Sequence, residues 1–143
     1  MTRWVIVVLA LVAAGWLAFD GAHALLTGDY VTPASGPHAG RLGPWSSVFE
    51  AIGVDPRSLT VKWLHVVVGA AWLAAIPAFA FRAHRSWGAM LLCAIAGVWY
   101  LPFGTIISLL VGGLLFLPAV KRQYHVGERG LWEGTSRESA DVK

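Results

Sequence analysis

From Ser86 to Val120 the chain carries no Asp, Glu, Lys or Arg. Soluble domains hold about a quarter of their residues as charged side chains, and this chain holds 13%. Built as one helix, the uncharged stretch would run about 50 Å at 1.5 Å per residue, against a hydrocarbon core of ~30 Å. Pro102 and Gly104, within Tyr100-Leu101-Pro102-Phe103-Gly104-Thr105, interrupt it. The stretch therefore reads as two short apolar helices, residues 87–101 and 103–120, with Ser86 able to cap the first. The first is short for a span, which calls for local bilayer thinning or a turn buried in protein.

Two further apolar runs precede this pair. Trp4 to Phe19 continues past Asp20 to Leu26, and Trp63 to Phe81 follows a polar interval. Asp55-Pro56 has the chemistry of a helix start, Asp as N-cap and Pro in the first turn, so the second span is placed over residues 58–81, with Pro77 a point of kinking. Ala22-His23-Ala24 resembles a signal-peptidase site, but the apolar run is long for a signal peptide, and a retained first helix over residues 4–26 is the reading adopted.

Charge orients the four runs. Arg3 precedes the first, Arg82 and Arg85 follow the second with His84 between them, and Lys121 and Arg122 follow the fourth. Four spans bring all three clusters to the cytoplasmic side, as the positive-inside rule requires; three spans would leave Lys121 and Arg122 outside. The expectation is an all-α membrane protein, a four-helix transmembrane bundle over residues 1–120 in the inner membrane. Both termini are then cytoplasmic, with a polar tail over residues 121–143 in which Leu131 and Trp132 offer a docking point. The net charge of +3 resides at the ends of apolar runs and forms no basic face with interleaved aromatics, so the lipid bilayer, and not nucleic acid, is the expected partner. Cys93 is the only cysteine, which excludes an intrachain disulfide and the redox pair of a vitamin K epoxide reductase type enzyme.

Small residues recur at helical spacing: Ala10, Ala14, Ala18 and Ala22; Ala70, Ala74 and Ala78; Ser108 and Gly112. Such stripes allow close helix approach, here read as packing within the bundle in preference to a dimer face. Of eight tryptophans, Trp4, Trp45, Trp63, Trp87 and Trp99 fall near the expected interfaces, while Trp16 and Trp72 lie deeper.

The outer loop, residues 27–57, is turn-rich up to Gly40. It then offers Pro44 as a helix start and Gly53 as a stop. Trp45, Val48, Phe49 and Ile52 follow i, i+3, i+4, i+7 spacing, with Ser46, Ser47 and Glu50 opposite. The segment reads as a short amphipathic helix on the membrane surface or capping the bundle, a simple shield or a gate over a lipid-facing pocket.

The ordered series Gly28-Asp29-Tyr30-Val31-Thr32-Pro33, Leu42-Gly43-Pro44-Trp45, Gly53-Val54-Asp55-Pro56-Arg57-Ser58 and Leu101-Pro102-Phe103-Gly104-Thr105 resembles small uncharacterised bacterial four-span membrane proteins. The resemblance covers Asp20 to Pro118 and implies a discrete module of this architecture, without an activity.

Ionisable residues inside a membrane protein are the best pointers to function. Asp20 and His23, one turn apart near the outer end of the first span, and His65, one turn inside the second, lie at one depth with Asp29 and Tyr30 just above. Asp20, His23, His65 and Tyr30 are the candidate ligand or cofactor site, able to hold a metal, a haem or a quinone headgroup in which His donates and Asp orients it. The competing reading is a capping network that ties the loop to the bundle. His38 and His125 lie in polar segments. No nucleotide, nucleophile-elbow or metalloprotease motif is present. Two functions follow. One is a non-enzymatic accessory or scaffold subunit that joins other membrane subunits or its own copies. The other is a small haem-, metal- or quinone-binding redox protein using the outer Asp/His cluster.

Overall fold

A computed structural model describes residues 1–83 and 85–126. His84, Leu131, Trp132 and the rest of the expected tail beyond Val126 lie outside the described residues. The described chain is all helical: α1 (Thr2–Thr27), α2 (Ser46–Ala51), α3 (Leu59–Ala80), α4 (Ser86–Gly97), α5 (Phe103–Leu115) and α6 (Pro118–Gln123), without a strand among the described residues. Both α1 and α3 are long and apolar enough to cross a membrane; α4 and α5 are apolar but shorter.

Helix α1 packs along α3, α3 on α4, α4 on α5, and α5 closes back on α1. The α1–α3 pair is the closest approach. A Cβ at Gly69 would stand 2.5 Å from the Ala18 amide nitrogen, and one at Gly21 would stand 2.6 Å from His65 Cβ. These pairings, 18 with 69 and 21 with 65, make the helices antiparallel. Ala10 and Ala14 are fully buried on the same side of α1, so that stripe is spent on contacts inside the bundle. The α3 stripe behaves otherwise, since Ala70 and Ala74 are exposed. Hydrophobic residues surround α3 at all azimuths, so periodicity could not say which of its faces would meet α1.

Boundaries shift where a cap competes with the expected one. Asp55 does not cap α3; its carboxylate accepts from the Arg57 amide at 2.9 Å, while Ser58 caps the helix by accepting from the Val61 amide at 3.5 Å. Ser86 is the first residue of α4 and not its cap. The last apolar run is divided at Phe116 and Leu117, with Pro118 opening α6, because proline lacks the N–H that would continue α5. Between α4 and α5 the chain turns through a cis Leu101–Pro102 bond, braced by the Thr105 hydroxyl, which donates to the Val98 carbonyl at 2.6 Å.

Two cores result. Toward the start of α1 and α6, Ile6, Ala10, Trp72, Phe79, Met90, Val111 and Leu115 form an apolar core. At the other end, Leu17, Ala24, Tyr30, Trp45, Phe49, Val61 and Tyr100 form a second core, rich in aromatic rings. Tyr124 closes the first end, its hydroxyl donating to the Phe79 carbonyl at 2.6 Å and its ring stacked on Phe79. Arg3 and Arg82 act on that phenol, so the start of α1, the end of α3 and α6 share one end.

Candidate functional site

The second core is roofed by the outer loop. Helix α2 has six residues, and the Trp45 that precedes it and its own Phe49 turn inward: Trp45 and Phe49 are buried, Val48 is half-buried, and Ile52, just past its end, is 70% exposed. The spacing of these four residues thus yields a helix seated on the bundle end by Trp45 and Phe49, with Ile52 left outside.

Two clamps hold the roof. Arg57 Nε donates to both oxygens of Asp29 at 3.0 and 3.2 Å, and its Nη2 to the Gly40 carbonyl at 3.0 Å, joining both halves of the loop. Lys62 Nζ donates to the Gly28 carbonyl. Burial by itself would raise the Asp29 pKa, but the Arg57 hydrogen bond, the Tyr30 amide and the charges of Arg57 and Lys62 hold it below the usual carboxylate range. Burial, with Asp20 and Asp29 nearby, pushes the Tyr30 phenol above its ordinary value, so Tyr30 stays a neutral hydroxyl.

Beneath the roof the four candidate residues separate. Asp20 is 3% exposed. Its Oδ1 accepts from the Val31 amide at 3.0 Å and its Oδ2 from the Tyr100 hydroxyl at 3.0 Å, while Trp16 Nε1 donates to that same Tyr100 oxygen at 3.0 Å. The chain Trp16–Tyr100–Asp20–Val31 therefore joins α1, the α4–α5 turn and the loop. His65 is fully buried. Its Nδ1 lies 2.8 Å from the Val61 carbonyl, which can only accept, so the proton sits on Nδ1 and Nε2 is a bare acceptor. That Nε2 is buried without a partner. The Tyr30 hydroxyl is 3.4 Å from Nδ1, and the rings of Tyr30, Trp45, Trp99 and Tyr100 stand around the imidazole with centroids 4.7 to 5.5 Å away. His23 stands apart: its Nδ1 donates to the Asp29 carbonyl at 3.1 Å, beside the Thr27 hydroxyl. Among the described residues no three His, Cys, Asp or Glu side chains converge on a point that could hold a metal ion. His38 is exposed in the loop.

A pocket of about 560 Å³ opens beside Asp20. Its floor is Asp20, Tyr100 and Trp16, its roof Tyr30, Pro44 and Trp45, and its lower wall Val12, Ala13 and Ile107. Val12, Trp16 and Phe103 on its rim are exposed, so the mouth lies on the flank of the bundle between α1 and α5. Ligand sites have this form, mostly apolar with a few polar groups that fix orientation. Asp20 and Tyr30 line it and His65 and His23 do not.

Trp16 and Tyr100 are site residues that spacing did not single out. Trp16 lies one helical turn before Asp20 and so shares its face. Tyr100 sits in an apolar turn, where a buried phenol must find a hydrogen-bond partner. Both signals are legible in retrospect, but neither names the partner. No protein-family model, no curated protein and no solved structure matches this chain.

Proposed function

We propose that the chain is a four-span inner-membrane protein, both termini cytoplasmic, whose outer end binds an amphiphile in the pocket beside Asp20. The observation that carries this reading is the pocket itself: apolar along Val12, Ala13 and Ile107, polar only where Asp20 and Tyr100 meet the loop. An amphiphile entering from the lipid would lay its apolar body along α1 and α5 and its headgroup on the carboxylate. The site then serves binding and sequestration, with the outer loop as its roof.

Support for four spans comes from the outward faces of the short helices. Leu92, Ile95, Phe103, Ile106, Leu109 and Leu110 are all exposed, an apolar surface that water would penalise and lipid would accept. Arg3, Arg82, Lys121 and Arg122 share one end of the bundle, against Arg41, Arg57 and Lys62 at the other, an excess of basic residues at the first end in keeping with the positive-inside rule. The test of topology uses a Cys93→Ala background with single cysteines at Ser35 or Gln123. An impermeant maleimide added to intact cells should label Ser35→Cys and spare Gln123→Cys; labelling of both from outside would reject the arrangement. The test of binding is lipid mass spectrometry of protein purified in nanodiscs. An Ile107→Trp variant, which fills the pocket, should lose a species that the wild type retains.

A second reading, an accessory subunit, has one specific observation in its favour. Ala70 and Ala74 present small side chains on the outside of α3, where another membrane helix could approach closely. Mild-detergent purification tests it. A particle of one chain, with no second protein and no second copy, would end this reading and leave the pocket untouched.

A further inference from the structure

The Asp20 carboxylate has no cationic partner among the described residues, where the one ion pair joins Arg57 to Asp29. Its two hydrogen bonds come from neutral donors, the Val31 amide and the Tyr100 hydroxyl. Such bonds recover only part of the cost of burying a carboxylate without a countercharge. Each carboxylate oxygen also keeps a lone pair beyond the bond it already accepts. The rings lining the same pocket are Trp16, Tyr30, Trp45, Tyr100 and Phe103, and aromatic faces attract cations through their negative quadrupole.

We infer that the pocket selects an amphiphile with a cationic alkylammonium headgroup, placed against Asp20 and among the rings of Trp16, Tyr30, Trp45 and Tyr100. This rests on the amphiphile-binding reading above and adds the sign of the headgroup. A phosphate or sulfate headgroup would face the carboxylate and the negative ring faces without a neutralising group. A neutral one would leave the buried charge uncompensated. The apolar tail contributes the same burial in all three cases, so charge alone separates them. Association adds no bond and moves no electron; the ammonium replaces water at the pocket mouth.

Equilibrium dialysis with radiolabelled octyltrimethylammonium tests this, comparing nanodiscs that hold the full chain with empty nanodiscs of the same neutral lipid. Unlabelled octyltrimethylammonium, its uncharged carbon isostere 2,2-dimethyldecane and octyl sulfate serve as competitors. The wild type should retain the cation above the empty discs, and the isostere and the sulfate should compete at least about tenfold more weakly. Asp20→Asn keeps the shape of the side chain and removes its charge, and should weaken cation binding by about tenfold or more. If the isostere competes as well as the cation, or Asp20→Asn binds undiminished, the charge inference fails and the pocket stands. If neither radiolabelled octyltrimethylammonium nor radiolabelled octyl sulfate is retained above the empty discs, and the lipids retained by Ile107→Trp match those of the wild type, amphiphile binding itself fails. Should Asp20→Asn not fold, the ranking of the three competitors on the wild type decides by itself.

Discussion

The two ends of the bundle are built on opposite principles. At the end formed by the start of α1 and by α6, the core is a set of apolar side chains closed by Tyr124 on Phe79. There the interior polar groups are small or singly bonded: Trp72 Nε1 donates to Met90 Sδ at 3.1 Å, Trp87 Nε1 donates to the Leu115 carbonyl at 3.0 Å, and the hydroxyls of Ser86 and, nearer mid-bundle, Ser108 are buried. At the loop end the same four helices enclose a carboxyl group, an imidazole and two phenols, and cover them with a roof that leaves a pocket beside the buried Asp20. Close packing maximises stability at the first end. The second end gives up some of that packing and keeps a space beside one carboxyl group.

The largest expected effect lies where the two ends are joined. Gly69→Val would drive a side chain into the Ala18 backbone, which cannot yield as a side-chain tip would. A loss of about 3 kcal/mol or more is expected, read as failure to assemble or as early unfolding in detergent. Gly112→Ala, inside α5 and with no atom within 4 Å of the new Cβ, should be neutral or stabilise by up to about 1 kcal/mol.

The next pair asks whether the two ends unfold together. Phe79→Ala at the apolar end should cost about 3–5 kcal/mol, seen as a lower unfolding midpoint for the whole bundle. Trp45→Ala should release α2 and speed amide exchange over residues 28–58 while the bundle helicity holds. If Trp45→Ala instead lowers the global midpoint as far as Phe79→Ala, the ends form one cooperative unit and the contrast between them is broken.

Tyr100→Phe sharpens the polar side. It removes the donor to Asp20 Oδ2 and the acceptor of Trp16 Nε1, an expected loss of about 1.5–3 kcal/mol for a bond to a charged group. Trp16→Phe removes only the outer of the two bonds and should cost less. Equal losses would mean that the chain from Trp16 to Asp20 acts as one unit.

The smallest effect is in the roof. The Asp29 pKa is depressed, so the contribution of its pairing with Arg57 is fully present above the ordinary carboxylate range and disappears as the pH falls through the lowered value. Both side chains are about half exposed, at 44% and 50%, so the effect stays below about 1 kcal/mol. Acidification toward pH 3 should speed amide exchange around Asp29 and Gly40, and Asp29→Asn should abolish that dependence. The same dependence persisting in Asp29→Asn would assign it elsewhere.

Much of this was legible before any fold was known. Charge-free runs and basic clusters point to four apolar segments and to the end where Arg3 and Arg82 meet, because transfer energies act residue by residue and need no partner. The depth of Asp20 and His65 was legible too, since helix rise converts residue number to height. Azimuth was not. Along α3 nearly every side is apolar, and only packing decided that Gly69 meets Ala18 while Ala70 and Ala74 face outward. The candidate cluster divided for the same reason: Asp20 found Tyr100, eighty residues away in sequence, His65 was enclosed by rings from the outer loop and the α4–α5 turn, and His23 turned to the loop.

The uncharged stretch from Ser86 to Val120 by itself determined that the chain must hide apolar surface in two short helices and turn at Pro102. Only the tertiary structure decided that this turn delivers Tyr100 to Asp20 and leaves a pocket beside it. Hydrophobicity is a property of each residue alone, whereas a hydrogen bond between distant segments exists only once helix rotation and register have been fixed by packing.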